Sequence, residues 1–212
     1  MNSKLFVLSV TLLLFGQHVS SQIHYYTTTH LNIGFGKNTD CDGSKYMDFC
    51  VNGPLVQPDG STVGGYVDNG ITKKDWVPLS DSIGANFCVA NGIFGLGMDG
   101  KLYMVPLESK TTLPAMKWAF QNGPILVQNK QNKRGTSVQK FERSGIGYKE
   151  DGTIVVIVSF KPLTLREFAE LFVDKQCVSA MYLDGGPYVG FCNKDVKYGL
   201  VAGATKLQFF NN

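Results

Sequence analysis

From Asp151 to Gly190 the chain reads DGTIVVIVSFKPLTLREFAELFVDKQCVSAMYLDGGPYVG, two apolar runs around one amphipathic stretch, and no other segment restricts the fold as tightly. Thr153 to Phe160 are nearly all β-branched or aromatic with little alternation, which suits an interior strand covered on both faces. Pro162 is expected to stop it. Thr164 then offers an N-cap with Glu167 at the capping-box position, and Leu163 and Phe168 stand where a hydrophobic staple packs. Leu165, Phe168, Ala169 and Phe172 make the inward face of a helix, and Val178 to Leu183 is the returning strand. Strand, helix and strand over 153–183 predict a β-α-β unit with parallel pairing and a right-handed crossover in a central mixed sheet, an α/β (α+β mixed) fold. Asp184 then sits on the sheet's carboxyl rim, where open sheets place ligands, and Gly185-Gly186 allows close approach there. An ordinary Asp-Gly-Gly turn is the competing reading.

The start of the chain has to be set aside before the domain is counted. A single Lys4 precedes the apolar run Leu5 to Phe15, and Ser20 and Ser21 follow it, so residues 1–21 read as a signal peptide. The apolar run is too short to span a bilayer, and no later run is long enough. Residues 22–212 then form one exported domain without a stable membrane anchor, destined for secretion, a periplasm or an endomembrane lumen. The formal charge of +3 comes without a basic run longer than Lys73-Lys74 or Lys133-Arg134, which argues against nucleic acid as a partner. Export permits disulfides, and the favoured pairs are Cys41–Cys50 and Cys177–Cys192, leaving Cys88 over. With only His24 and His30 beyond the leader, neither a zinc site nor a His-based triad is written here. No cofactor is required. A divalent cation stays open, because Asp184 with backbone carbonyls is a hard-cation donor set, although no acidic cluster marks it.

Elsewhere the reading is of short strands and turns. Gln22 to Leu31 alternates like a strand, Asn32 to Asp42 is loop, Pro114 to Gln121 is a short helix, and Gln128 to Val138 is a mobile surface loop. Asn52-Gly53, Asn91-Gly92 and Asn122-Gly123 each follow apolar residues, as Asp184-Gly185-Gly186 does. They are either ordinary turns or loops that converge on one cavity. Asp59, Asp99 and Asp151 belong to turn signals, so no second carboxylate stands out beside Asp184.

Five segments in this order resemble the phosphodiester glycosidase family. They are Asn52-Gly53-Pro54-Leu55 with Val63-Gly64-Gly65; Asn86-Phe87 with Asn91-Gly92-Ile93-Phe94; Gly123-Pro124-Ile125-Leu126-Val127; Arg143-Ser144-Gly145-Ile146-Gly147; and Tyr182-Leu183-Asp184-Gly185-Gly186. The resemblance covers Asn52 to Gly190 and implies hydrolysis of a sugar-1-phosphodiester, with a sugar-phosphate or phosphodiester-linked glycan as partner. Asp184 would activate water or steady the cationic sugar. Arg143 would hold phosphate oxygens, joined by the amides of Gly145 and Gly147 as a nest. Asn52 and Asn91 would contact sugar hydroxyls or phosphate, with Gly185, Gly186 and Tyr188 beside them. The family commonly shows a Ser soon after Asp-Gly, and this chain has Pro187-Tyr188-Val189. That departure motivates the alternative, a secreted carbohydrate- or sugar-phosphate-binding protein of the same fold without turnover.

Overall fold

The computed structural model describes residues 23–29, 31–37, 47–57, 59–81, 89–136, 138–193, 197–200 and 205–210. The expected signal peptide, Cys41 and Cys88 lie outside these residues.

The architecture is three antiparallel sheets around one apolar interior. The first sheet orders β1 (Ile23–Thr28), β12 (Ile154–Leu163), β11 (Phe141–Tyr148), β13 (Ser179–Tyr182), β9 (Ile125–Gln128) and β10 (Gln131–Asn132). The second orders β15 (Lys197–Tyr198), β14 (Phe191–Asn193), β3 (Met47–Asn52), β16 (Thr205–Phe210) and β2 (Ile33–Lys37). The third orders β5 (Ile71–Lys74), β4 (Tyr66–Asp68), β8 (Met116–Asn122), β6 (Gly92–Gly97) and β7 (Leu102–Pro106). All three feed the interior: Val156, Val158 and Leu183 come from or beside the first, Phe49, Val51, Leu207 and Phe209 from the second, Phe94, Trp118 and Phe120 from the third.

The non-alternating composition of β12 has the cause its sequence suggests. Ile154, Val156 and Val158 face this interior, while Val155 and Ile157 face α1 (Leu165–Asp174), the sole α-helix among the described residues. Burial on both faces requires apolar side chains at every position. Helix α1 begins as its sequence predicts: Thr164 Oγ1 accepts the Glu167 amide (3.1 Å), and the Glu167 carboxylate accepts the Thr164 amide (2.7 Å). The Thr164 amide, followed by Lys140 and the Thr164 hydroxyl, holds the Glu167 carboxyl down at about 2.

Several expectations are corrected. The fold is mostly antiparallel β with little helix rather than α/β around a mixed sheet. Strands β12 and β13 run in the same direction without pairing, because β11 lies between them and is antiparallel to both. Their carboxyl ends still share one rim. Pro162 does not stop β12. It falls where the β11–β12 register shifts between Phe141 and Arg143, so its missing N–H interrupts no regular ladder. The stretch from Pro114 to Gln121 contains most of strand β8 instead of a helix, with Trp118 and Phe120 facing the interior and Ala119 the opposite face. Pairing with β4 and β6 on its two sides outweighs the helical start signal that Pro114 carries. Residues 33–37 of the expected loop are β2. The expected loop at 128–138 is held near its start, where Asn132 Nδ2 donates to Glu170 Oε1 (2.6 Å) and to the Arg166 carbonyl (3.2 Å).

Thr164→Ala removes the acceptor for the Glu167 amide at the start of α1 and is expected to lower the unfolding free energy by about 1 kcal/mol. Thr164→Ser is expected to keep most of it. Urea titrations of the two variants beside the parent measure the difference, and an unchanged midpoint in Thr164→Ala would show that the cap contributes nothing.

Candidate functional site

Asp184 leaves β13 at the shared rim and is 5% exposed. Its main-chain carbonyl accepts Asn52 Nδ2 (2.8 Å) and Ser144 Oγ (2.7 Å). Its carboxylate accepts main-chain amides, Gly185 N on Oδ1 (2.9 Å) and Val56 N on Oδ2 (3.4 Å). Both amides favour the ionised form, but loss of solvent outweighs them and burial pushes the carboxyl up to about 6. At neutral pH the group is mostly ionised, yet close enough to its titration to take up a proton.

Asn52 reaches Asp184 because β3 ends there. Its Oδ1 accepts the Gly190 amide (3.3 Å), and its own amide donates to the Gly190 carbonyl (3.0 Å). One side chain thereby joins β3, the end of β13 and the start of β14. Asn122 makes a similar junction: Oδ1 accepts the Leu55 amide (2.9 Å) and Nδ2 donates to the Tyr182 carbonyl (2.7 Å).

Arg143 is 3% exposed on β11. The pairing of Gly145 with Tyr182, continued by two residues, places Arg143 across from Asp184. Nε donates to the Leu163 carbonyl (2.6 Å) and an Nη to the Gln139 carbonyl (3.1 Å), and the guanidinium lies 5.6 Å from the ring centroids of both Phe141 and Tyr182. Among the described residues, ion pairs join Lys130 to Glu150 and Lys140 to Glu167, and none joins Arg143 to Asp184. Tyr182 is the link between the two. Its hydroxyl lies so close to Gly185 that a Cβ there would fall 1.6 Å from it, so any larger residue at 185 would have to displace the Tyr182 ring. Gly186 has φ +59°, and the 3-10 turn Gly186–Tyr188 carries Tyr188, half-buried, past the site.

The remaining expected residues have other surroundings. Gly145 and Gly147 lie beneath α1, where added Cβ atoms would stand 3.0 and 3.1 Å from the nearest atoms of the Phe172 ring. Both pair through the backbone with β12 and β13, so their amides form no anion nest. Asn91 accepts the Ile125 amide on Oδ1 (3.1 Å) beside the cis Gly123–Pro124 peptide, and so shapes the entry to β9. Asp59, Asp99 and Asp151 accept the amides of Ser61, Lys101 and Thr153 as turn residues. Cys177 is a free thiol buried under α1, with burial pushing it up to about 12, so the expected bridge to Cys192 is not formed. Cys192 stands across from Cys50 in the β14–β3 register instead. No group of three or more His, Cys, Asp or Glu converges among the described residues.

Ser144, Gln121, Asn122 and the Val56 amide escape sequence reasoning. Ser144 lies within the Arg143 segment and Asn122 within an Asn-Gly pair, but only β11 and β8 reveal what they touch. No local pattern marks Val56, whose contribution is its backbone.

Residues 46–201 match the phosphodiester glycosidase family. YigE, an uncharacterised protein of Escherichia coli (strain K12), is 26% identical over 161 residues, which span 69% of this chain and 62% of that protein. The chain thus matches less than two thirds of that relative's length. The catalytic domain of zebrafish N-acetylglucosamine-1-phosphodiester alpha-N-acetylglucosaminidase, auto-inhibited by its pro-peptide, shares the fold with TM-score 0.61 and 14% identity over 90% of this chain and 73% of that one. A hypothetical protein from Synechocystis gives TM-score 0.56 and 10% identity over 91% of this chain and 57% of that one.

An acid whose pKa rises on folding, here from 3.8 to about 6, binds its proton more tightly in the folded chain. Stability therefore falls as pH rises from about 4 through about 6, and the full cost is present above about 7. Asp184→Asn is expected to melt higher than the parent at pH 8, by the equivalent of at most about 3 kcal/mol, and to lose about two thirds of that advantage at pH 4.5. Calorimetry at the two pH values reads it, and a variant that melts below the parent at pH 8 contradicts the burial argument.

Proposed function

The chain belongs to the phosphodiester glycosidase family, and from that premise we propose that it hydrolyses a sugar-1-phosphodiester to free sugar and a phosphomonoester. One observation carries the reading: a buried aspartate and a buried arginine occupy facing backbone positions on adjoining chain segments, and no ion pair joins them. Burying either charge is costly, and pairing them directly would lower that cost. Opposite charges held apart suit a ligand that carries an anion on one side and develops positive charge on the other.

In the proposed reaction the bond from the sugar's anomeric carbon to the phosphate oxygen breaks, and water supplies the new hydroxyl. Asp184 takes the proton from that water and steadies the positive charge growing on the sugar. The departing phosphate needs little protonation, because a phosphomonoester is a stable anion. Arg143 holds its oxygens through the N–H groups not committed to Leu163 and Gln139. Asn52 fixes Asp184 through the main chain, and Tyr188, carried past the site on the Gly186–Tyr188 turn, contacts the sugar. No nucleic acid is involved. We further read residues 1–21 as a signal peptide that exports the domain, with Cys41–Cys50 as its disulfide. Among the described residues no helix is long and apolar enough to cross a membrane.

A product assay over a panel of sugar-1-phosphodiesters tests the activity, with Asp184→Asn and Arg143→Lys beside the parent. Asp184→Asn is expected to lose at least about 100-fold in turnover with binding largely kept. In the parent, kcat should fall as the pH drops below about 6, where the base becomes protonated. Arg143→Lys keeps the charge without the planar fork and is expected to lose about 10-fold or more in kcat/KM. Saturable binding without turnover by the folded parent across the panel would establish the non-catalytic alternative, which the Pro187-Tyr188-Val189 departure motivates.

A further inference from the structure

Lys74 ends β5, an edge strand of the third sheet, and its side chain turns inward instead of extending into water. Nζ donates to the main-chain carbonyls of Thr62 and Val63, the latter at 3.2 Å. These carbonyls belong to a loop folded on itself: Val56 and Thr62 form an isolated antiparallel bridge, and the Val63 amide donates to the Leu55 carbonyl (2.8 Å). The loop's other arm lies in the site, where the Leu55 amide meets Asn122 Oδ1 and the Val56 amide meets Asp184 Oδ2. A single ammonium group, with three donors and a full positive charge, thus draws the far arm of the loop toward the sheet edge.

We propose that Lys74 is a positioning residue of the Asp184 site: by holding the carbonyls of Thr62 and Val63 it fixes the bridged arms 55–57 and 59–63 so that the Val56 amide stays on the Asp184 carboxylate. Its catalytic consequence rests on the reading of Asp184 as the group that activates water. The Val56 contact is long at 3.4 Å, so a small retreat of the loop abolishes it. Its loss removes one of the two amides that favour ionised Asp184, and the acid titrates at higher pH. The charged and titratable residues on the surrounding elements are Glu142, Arg143 and Tyr148 on β11, Tyr182 on β13, Tyr188 after it, Asp48 on β3 and Lys206 on β16. Burial and the two amides account for the shift of Asp184, without a contribution from any of these.

Amide nitrogen–proton spectra recorded from pH 4.5 to 8 test the proposal without any substrate. The Val56 and Gly185 resonances are followed in the parent and in Lys74→Met, Lys74→Arg and Lys73→Met, the last removing a charge from the exposed neighbouring position. In the parent both amides should titrate together near pH 6, and Asp184→Asn should abolish the titration. In Lys74→Met the Val56 amplitude should fall at least twofold, and the Gly185 midpoint should rise by about half a pH unit. Lys74→Arg, which keeps charge and donors, and Lys73→Met should follow the parent. A folded Lys74→Met with parental titration at both amides overturns the proposal. Should that variant not fold, Lys74→Gln, uncharged and one bond too short to hold both carbonyls, takes its place, and an undiminished Val56 amplitude in it overturns the proposal equally. Where the parent turns over a diester, the acid limb of kcat/KM should move with the Gly185 midpoint in Lys74→Met. If no diester is turned over, the functional reading fails and the spectra still decide the role of Lys74.

Discussion

The main-chain carbonyl of Asp184 is where the sheets are tied together. Ser144 donates to it from the first sheet and Asn52 from the second, and both donors are buried. Removing the carbonyl's position from this junction would leave two interior donors without a partner, each at a cost of about 1–3 kcal/mol. The backbone at Asp184 is therefore fixed by the fold as a whole, and its carboxylate needs no side-chain partner to hold it in place. In the proposed reaction, that separation leaves the acid free for chemistry.

A related economy of side chains governs the third sheet. Gln121 and Asn122, neighbours at the end of β8, are fully buried amides. Gln121 Oε1 accepts the amides of Gly65 and Val77, and Nε2 donates to the carbonyls of Val77 and Ala90. Chain segments at 65, 77 and 90 thus obtain from one side chain the bonds that a paired strand would otherwise supply. Asn122 extends the arrangement to Leu55 and Tyr182, and so to both sides of the acid. The loops around the site are ordered by donors and acceptors projecting from a rigid strand.

What could be read from the sequence follows from how local each cause is. The double-faced burial of β12, the Thr164–Glu167 cap and the rim position of Asp184 each depend on residues within one segment, and the structure has all three. The insertion of β11 between β12 and β13 depends on pairing across the chain, and nothing within 151–190 encodes it. The same holds for β8, whose proline and following residues fit a helix start until two neighbouring strands claim the backbone. At the site, polar residues beside glycine stood out, but sequence could not separate Asn52, which touches Asp184, from Asn91, which braces the turn before β9. Gly145 and Gly147 invited an anion nest because flexible amides bind anions, whereas their surroundings leave no room for a Cβ between the neighbouring strand β13 and the Phe168 and Phe172 rings of α1.

Those rings also bear on how Arg143 is held. Phe168 of α1 meets Tyr182 edge-on at 6.4 Å, and the opposite use of Tyr182 is to stack beneath the Arg143 guanidinium and to press its hydroxyl on Gly185. Helix packing thereby fixes one tyrosine, and the tyrosine fixes both the cation and the turn that follows the acid. Arg143 receives carbonyl acceptors at Leu163 and Gln139, next to the register shift in β11, so part of its hydrogen-bonding need is met without a carboxylate. If instead the acid and the guanidinium neutralised each other, each charge would be more stable and neither would act strongly on a bound molecule. In the proposed reaction, charges that the fold supports separately would not have to be pulled off one another when the diester arrives, and their field would act on it from the outset.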